Sequence, residues 1–512
     1  MTEPHRPRLR AHARLEGTRV LDGLLERGYD LGPLGAALVA RLDGERSVDE
    51  LATAEDQRHV LRRLYLLNLV EGAGDGVVAR LEAALAGRAP FEIRAVEGTR
   101  FQCQGTGECC QNYVFGPLDD EDIARLAALP LAEAFPHTAG GYVEETEERG
   151  MRFRFLKSVK GDRCTFLEGD GRCGIHRRFG ADAKPRFCRL FPYEFIATYD
   201  GMRVFDKGSC AAFGVSSQQG PKLIDDLARL RPLLPRERAG LYHPVVHVDE
   251  FPCDFGHFER LTATAIGLTQ KGIGDAAETL RAVARGVRGF AHVLRSFPLE
   301  AGEPDASISG LLATAGPLWY QGEPPTPELH TGAMHLGHIF AALLVSSTGV
   351  IQDDQDRPGY FALKLVRQSA ELFHLASAAA MRVVDPATQF DAETEAVLAV
   401  RVGGPEIDAV LRQSLCQQLF GSGSLVEGHS LAALVRLSLI QLVCVHGARI
   451  RARADGRDVA EARDLSWGHM LATRVLARAD AAPIMLAAEN EFAAMLEAVP
   501  AVAGLGQRLP MP

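Results

Sequence analysis

No stretch of the 512-residue chain reaches the roughly 18 consecutive apolar residues that a membrane-spanning helix requires. The best run, Leu431 to Val445, is interrupted by Arg436 and reads as a buried helix. Met1 to Val20 is rich in Arg and His and lacks the apolar segment of a secretory signal. A cytoplasmic protein with no membrane partner is therefore expected. Positive charge is also short. With 56 Lys and Arg against 66 Asp and Glu, the net charge is −10, which argues against nucleic acid as a partner. Lysine is the scarcest cation: only seven occur, yet Lys157, Lys160, Lys184 and Lys207 all fall in one cysteine-rich region.

Common catalytic signatures are missing as well. There is no Walker loop, no nucleophile elbow and no Cys-x3-Cys-x2-Cys triad. Gly421-Ser422-Gly423 lacks the preceding apolar strand and the acidic residue of a dinucleotide fold, and reads as a loop between helices. Neither a repeat at solenoid spacing nor a long low-complexity segment is found. What remains is a globular composition, 46% apolar and 24% charged, with length for two to four domains.

The pattern of apolar residues predicts a mostly α protein in three parts. In residues 15–75, Leu34, Leu38 and Leu42 recur at helical spacing and Asp43-Gly44 supplies a turn. Ser47 with Glu50 then forms a capping box. A third helix is expected through Val60, Leu61, Leu64, Leu67 and Leu69, closing near Gly72. Residues 91–214 form an irregular cysteine-rich domain. Residues 222–512 form an α-helical domain, with apolar stripes such as Phe361, Leu365, Leu372 and Leu375, then Leu431, Val435, Leu439 and Leu442. Breaks at Gly302 to Pro327 and Gly403 to Pro405 separate groups of helices.

Seven of the ten cysteines lie in the middle part: Cys103, Cys109, Cys110, Cys164, Cys173, Cys188 and Cys210. In a reducing compartment such thiols are metal ligands or buried side chains rather than disulfides. Buried structural cysteines do not gather in Gly-rich, charged segments such as Gln104 to Glu108 and Glu168 to Arg172, so metal binding is the reading adopted. Thiolates are soft ligands that suit zinc or an iron–sulfur cluster, and four complete either site. Spacing does not say which four of the seven serve. Several histidines are further candidates. His335 and His338 share a helix face without a nearby carboxylate, His176 offers a mixed ligand or a donor behind the ligands as against a capping or solvent-facing role, and His243 and His247 stand near Asp249, Glu250 and Cys253.

Two resemblances sharpen these expectations. The segment Leu34 to Leu51, with Leu66 to Glu71, resembles the PqqD-like winged-helix domain. That implies a winged-helix-like module over residues 15–75, able to capture a leader peptide by strand addition. Cys103-x5-Cys109-Cys110, Cys164-x8-Cys173 and x14-Cys188-Arg189-Leu190-Phe191-Pro192 resemble the YkgJ-like CxxCxxCC cysteine-cluster family, regarded as zinc- or iron-chelating. Cys210 falls where that family often carries a last cysteine. Thr106 stands where the second cysteine of the first motif falls, and threonine is no soft ligand.

Within that family, the x14 spacing and Phe179 to Lys184 are most similar to FliB-like flagellin lysine-N-methylases. This resemblance implies a 4Fe–4S cluster (zinc being the alternative) and methyl transfer from S-adenosylmethionine to a lysine of a protein or peptide substrate. Arg189, beside Cys188, would tune the cluster or hold a cofactor carboxylate, with a plain salt bridge as the other reading. The alternatives to a methylase are a non-enzymatic metal-binding protein and a peptide-tailoring enzyme that recruits its substrate through residues 15–75.

Overall fold

The computed structural model describes residues 6–72, 75–89, 92–111, 115–148, 151–159, 163–198, 201–206, 208–234, 246–248, 251–253, 255–272, 275–296, 329–354, 362–421, 430–475 and 489–505. It is 59% helix and 14% strand, so the mostly α expectation holds. Three clusters of buried apolar side chains organise the chain.

The first cluster belongs to the N-terminal residues. An antiparallel meander of Ala13–Glu16, Arg19–Asp22 and Arg27–Asp30 pairs Leu15 with Val20 and Val20 with Tyr29. Helices Gly32–Val39, Val48–Leu51 and Glu55–Leu66 close over it, burying Val20, Leu38, Leu42, Leu51, Leu61 and Leu64. The capping box forms as the sequence predicts: Ser47 Oγ accepts the Glu50 N–H at 3.4 Å, and the Glu50 carboxylate accepts the Ser47 N–H at 2.7 Å. The third helix stops at Leu66, short of Gly72. Asn68 adopts a left-handed φ of 55°, and the extended chain beyond it pairs Val70 with Leu9. The meander is an addition to the three helices expected. Its strands are four residues each, too short for alternation to stand out.

The second cluster, Phe115, Leu118, Leu126, Leu131, Phe135, Leu156, Phe166 and Ile175, lies within the cysteine-rich part and includes Cys164. It is built on the hairpin Val143–Glu148/Met151–Leu156 and on the helix Asp120–Ala127. Asp119 caps that helix by accepting the Asp122 N–H at 2.7 Å.

The third and largest cluster is made by the C-terminal helices and a small sheet. The helix Leu431–Ala454 runs through it. Among the described residues it is the one helix long and apolar enough to cross a membrane, and 89% of its apolar window is buried within the protein. It is a core helix, as the sequence predicts.

In the sheet, Gly201–Asp206 pairs antiparallel with Tyr193–Thr198 and parallel with Ile93–Arg94. This strand is buried along its length, and it carries Arg203 and Asp206 into the core. The Arg203 guanidinium donates to the Phe420 carbonyl at 3.3 Å and lies over the Phe420 ring at 4.8 Å. The Asp206 N–H donates to Gln417 Oε1 at 2.9 Å, and Asp206 Oδ1 accepts the Gly208 N–H at 2.7 Å.

Beyond the strand, the chain docks on helices some 250 residues later. His469 faces the Gly208 carbonyl through Nδ1 at 3.1 Å, hydrogen-bonds Ser414 through Nε2 and stacks on Phe213 at 4.2 Å. Gly208 has φ +76°, and an added methyl group there would overlap the His469 ring. Ser466 Oγ accepts the Gly214 N–H at 2.8 Å. This docking fixes the position of Cys210.

Asp206 Oδ2 has no hydrogen-bond partner, and burial pushes the carboxyl pKa up to about 8. The folded state therefore holds a proton that an unfolded aspartate, with a pKa near about 3.9, releases. Asp206 contributes a loss of stability as pH rises from about 4 to about 8. Replacing Asp206 with Asn is expected to flatten the pH dependence over this window relative to wild type. Urea unfolding at a series of pH values checks it, and parallel curves for the two proteins would refute it.

Candidate metal centre

Short elements of the second cluster carry the thiols. Cys109 and Cys110 end the single turn Glu108–Cys110. Cys164 ends the strand Arg163–Cys164, which meets the first motif through the bridge of Gln111 with Arg163. The chain then turns back at once. Leu167 pairs with Cys173, and the Gly171 N–H donates to the Glu168 carbonyl at 3.1 Å. Cys173 leads into the helix Gly174–Phe179, and Cys188 lies on Arg186–Leu190.

One contact locks the first loop onto the second. Gly171 has φ +81°, and a Cβ on it would stand 2.8 Å from the Thr106 carbonyl oxygen and 2.9 Å from that of Gly105. The approach is backbone to backbone, which only glycine permits. Thr106 thus meets the second loop through its carbonyl oxygen.

Six of the seven thiols are brought together. The Cys109 thiol interacts with those of both Cys110 and Cys210. Those interactions, with burial, raise the Cys109 pKa well above that of an ordinary thiol, and the same interactions from Cys109 lower Cys110 and Cys210 to about 7 against the effect of burial. A second grouping contains Cys110, Cys164, Cys173 and Cys188. Burial pushes Cys164 up to about 12 and raises Cys173 and Cys188. Added to burial, each pair among these four repels as thiolates, in all six combinations.

The Lys184 ammonium opposes that repulsion, acting on Cys110, Cys173 and Cys188. Backbone N–H groups also point at sulfur: Phe166 to Cys164, and Ile175 and His176 to Cys173. Donors of this kind tune thiolate-bound metals. Cys103 is the one exposed thiol of the seven.

The donor chemistry fits a soft metal centre. Buried thiols, N–H groups aimed at sulfur and a single cation are what a gathering of thiolates needs. Among the described residues, however, no group of three His, Cys, Asp or Glu side chains stands at the spacing of ligands to one ion.

Other candidates lie apart. Arg189 is half-buried among Asp122, Asp182, Glu121 and Arg125, and its Nε has no hydrogen-bond partner. His176 is exposed. The rings of His335 and His338 meet edge-on at 6.4 Å, with Glu491 4.0 Å from His335. His243, Asp249 and Glu250, the loop after Gly421 and the break at Gly302 to Pro327 lie outside the described residues, as do the side chains of His247 and Cys253. Two groups beside the thiols escape sequence reasoning. Ser216, whose hydroxyl donates to Cys210 Sγ at 3.5 Å, and His469 beneath Gly208 have no motif to announce them.

Residues 102–211, from just before Cys103 to just after Cys210, match the family model CxxCxxCC, a putative zinc- or iron-chelating domain. No curated protein and no solved structure matches the chain.

Two outcomes follow from this geometry. Gly171→Ala places a side chain at positive φ, at a cost of about 1–2 kcal/mol before any clash, and is expected to part the two loops. Faster alkylation of Cys110 and Cys173 by iodoacetamide would register the parting, and unchanged rates would rule it out. Lys184→Gln removes the cation, so the pH midpoint for alkylation of Cys110 is expected to move upward from about 7. An unmoved midpoint would show that Lys184 does not govern the thiolate.

Proposed function

We propose that Cys110, Cys164, Cys173 and Cys188 hold a 4Fe–4S cluster, and that the chain is an enzyme built around it. The observation that carries this reading is the mutual coupling of these four thiols in all six pairings. Four thiolates are the complete protein ligand set of such a cluster. A single zinc needs its sulfurs about 3.8 Å apart, from Zn–S bonds of about 2.3 Å. Zinc on the same four cysteines is the second reading, since the matched family is described for either metal. Cys103, Cys109 and Cys210 stand outside the four.

The resemblance to lysine-N-methylases supports methyl transfer from S-adenosylmethionine to a lysine of a protein or peptide in the cytoplasm. Arg189 is the residue assigned to the carboxylate of that cofactor, because it follows Cys188 in the chain and its Nε is unpartnered. The PqqD-like N-terminal module, in which a three-stranded sheet packs with three helices, supports recruitment of the substrate by strand addition. The competing class is a protein in which the metal only staples a loop-rich domain.

Anaerobic purification with iron, sulfide and zinc analysis tests the centre. About four irons with matching sulfide and absorption near roughly 400 nm, both lost in Cys188→Ala, are expected. One zinc without visible absorption would replace the cluster by the second reading, and neither metal would remove the proposal. Calorimetric titration with S-adenosylmethionine tests the enzyme: saturable binding, weakened at least tenfold in Arg189→Ala, is expected, and no binding would leave the staple.

A further inference from the structure

A cavity of about 390 Å³ lies where the cysteine-rich cluster meets the sheet of the large core. Its walls are apolar. Leu118 belongs to the first cluster, Leu190 and Tyr193 to the second. Phe187 and Leu190 are three apart on the helix Arg186–Leu190, and Tyr193 and Phe195 are two apart on the strand Tyr193–Thr198, so each pair shares a face. The polar lining is Asp119, Asp122 and Arg186.

We propose that this cavity binds the side chain of a lysine on a partner peptide, its methylenes along the apolar walls and its ammonium at the carboxylates of Asp122 and Asp119. The binding is argued from the cavity; that the bound lysine is then methylated rests on the methylase reading.

The two carboxylates are unequal. The Asp119 side chain is 46% exposed, its Oδ1 caps the helix Asp120–Ala127, and its Oδ2 stands 3.7 Å from Arg186 Nη1. Asp122 is only 2% exposed. Its Oδ1 accepts the Arg186 N–H at 2.6 Å, and among the described residues it has no ion pair. The Arg186 side chain is turned elsewhere, with Nε donating to the Leu233 carbonyl at 2.6 Å. Arg189 acts on Asp122 from beyond ion-pair distance. A buried carboxylate without a cation in contact is costly, and burial raises the Asp122 pKa. An entering ammonium supplies the missing charge.

The lining also selects the kind of cation. A hydrated metal ion needs several more oxygens than these walls offer. A guanidinium pairs best with a carboxylate that presents both oxygens, and one of Asp122 is already taken by the Arg186 N–H. An ammonium is a compact charge on an aliphatic stem, and such stems lie along apolar surface while the head reaches polar groups. The helix Arg186–Leu190 also carries Cys188 and Arg189, so the lysine would lie beside the proposed cluster and the residue assigned to the cofactor.

The test is saturation-transfer difference NMR on the full-length metal-loaded protein, without S-adenosylmethionine. The probes are Nα-acetyl-lysine methylamide and its uncharged counterpart, Nα-acetyl-norleucine methylamide. Transfer to the lysine side-chain methylenes, with a Kd about tenfold lower than for the norleucine amide, is expected. Asp122→Asn retains an acceptor for the Arg186 N–H, Asp119→Asn retains a helix cap, and each should remove most of that preference. Should Asp122→Asn fail to fold, Asp119→Asn alone decides. Equal Kd values for the two amides, or a preference unchanged in the variants, would overturn the site. Lysine preference in a protein that binds no S-adenosylmethionine would uphold the cavity and overturn the methylase; the reverse pattern would overturn the cavity and leave the methylase standing.

Discussion

The junction on which the rest of the structure depends is that of the Cys109–Cys110 turn with the segment carrying Cys210, whose thiols interact. It is where the cysteine-rich cluster meets the helical core, since Cys110 packs at the edge of one and Cys210 lies within the other. Thiol hydrogen bonds are weak, so they do not hold this junction by themselves. Apolar burial on either side does, while the backbone contact at Gly171 and the His469 ring under Gly208 aim the loops. A bound metal would add its own binding energy to the fold at the same place.

The large core accepts charge only where it supplies partners. Arg449 is fully buried, and burial lowers its pKa to about 9. Its guanidinium donates to the carbonyls of Val400 at 3.1 Å and Ala503 at 2.7 Å, and meets His446 Nδ1 at 3.0 Å. These bonds tie the end of the helix Glu489–Ala503 to the central helix Leu431–Ala454. Neighbours left unpaired in such a core would be far more costly than the bonds are favourable. Asp206 takes the other route and keeps its proton, because burial outweighs the Gly208 N–H that its carboxylate accepts.

Much of this was legible locally. The Ser47–Glu50 box, the turn at Gly44 and the buried helix from Leu431 each depend on residues within a few positions of one another, and each formed as read. The gathering of cysteines was legible as a group, because glycines and charge surround them. Their division into a coupled four, the neighbours Cys109 and Cys210 and an exposed Cys103 was not. That division depends on where Thr106 meets Gly171 and where Gly208 meets His469, contacts between segments far apart in sequence. The first strand of the hairpin Val143–Glu148/Met151–Leu156, with four Glu in six residues, carries little apolar signal, although Arg152 and Arg154 alternate with Phe153 and Phe155 on the second. Arg203 and Asp206 would be expected at the surface from their charge, and only the buried strand carrying them says otherwise.

The docking of Gly208 on His469 and of Gly214 on Ser466 also sets an order of events during synthesis. The first six cysteines and the apolar residues around four of them are complete once residue 190 has emerged from the ribosome. The surface that receives Cys210 is not made until the chain has grown by more than 250 further residues. At the tens of residues per second or fewer at which chains are made, that interval is many seconds. During it the cysteine-rich segment stands open on the side that Cys210 will later cover. Any metal that those six cysteines hold would reach them most freely before the helical part exists, and closure of the large core would end that window.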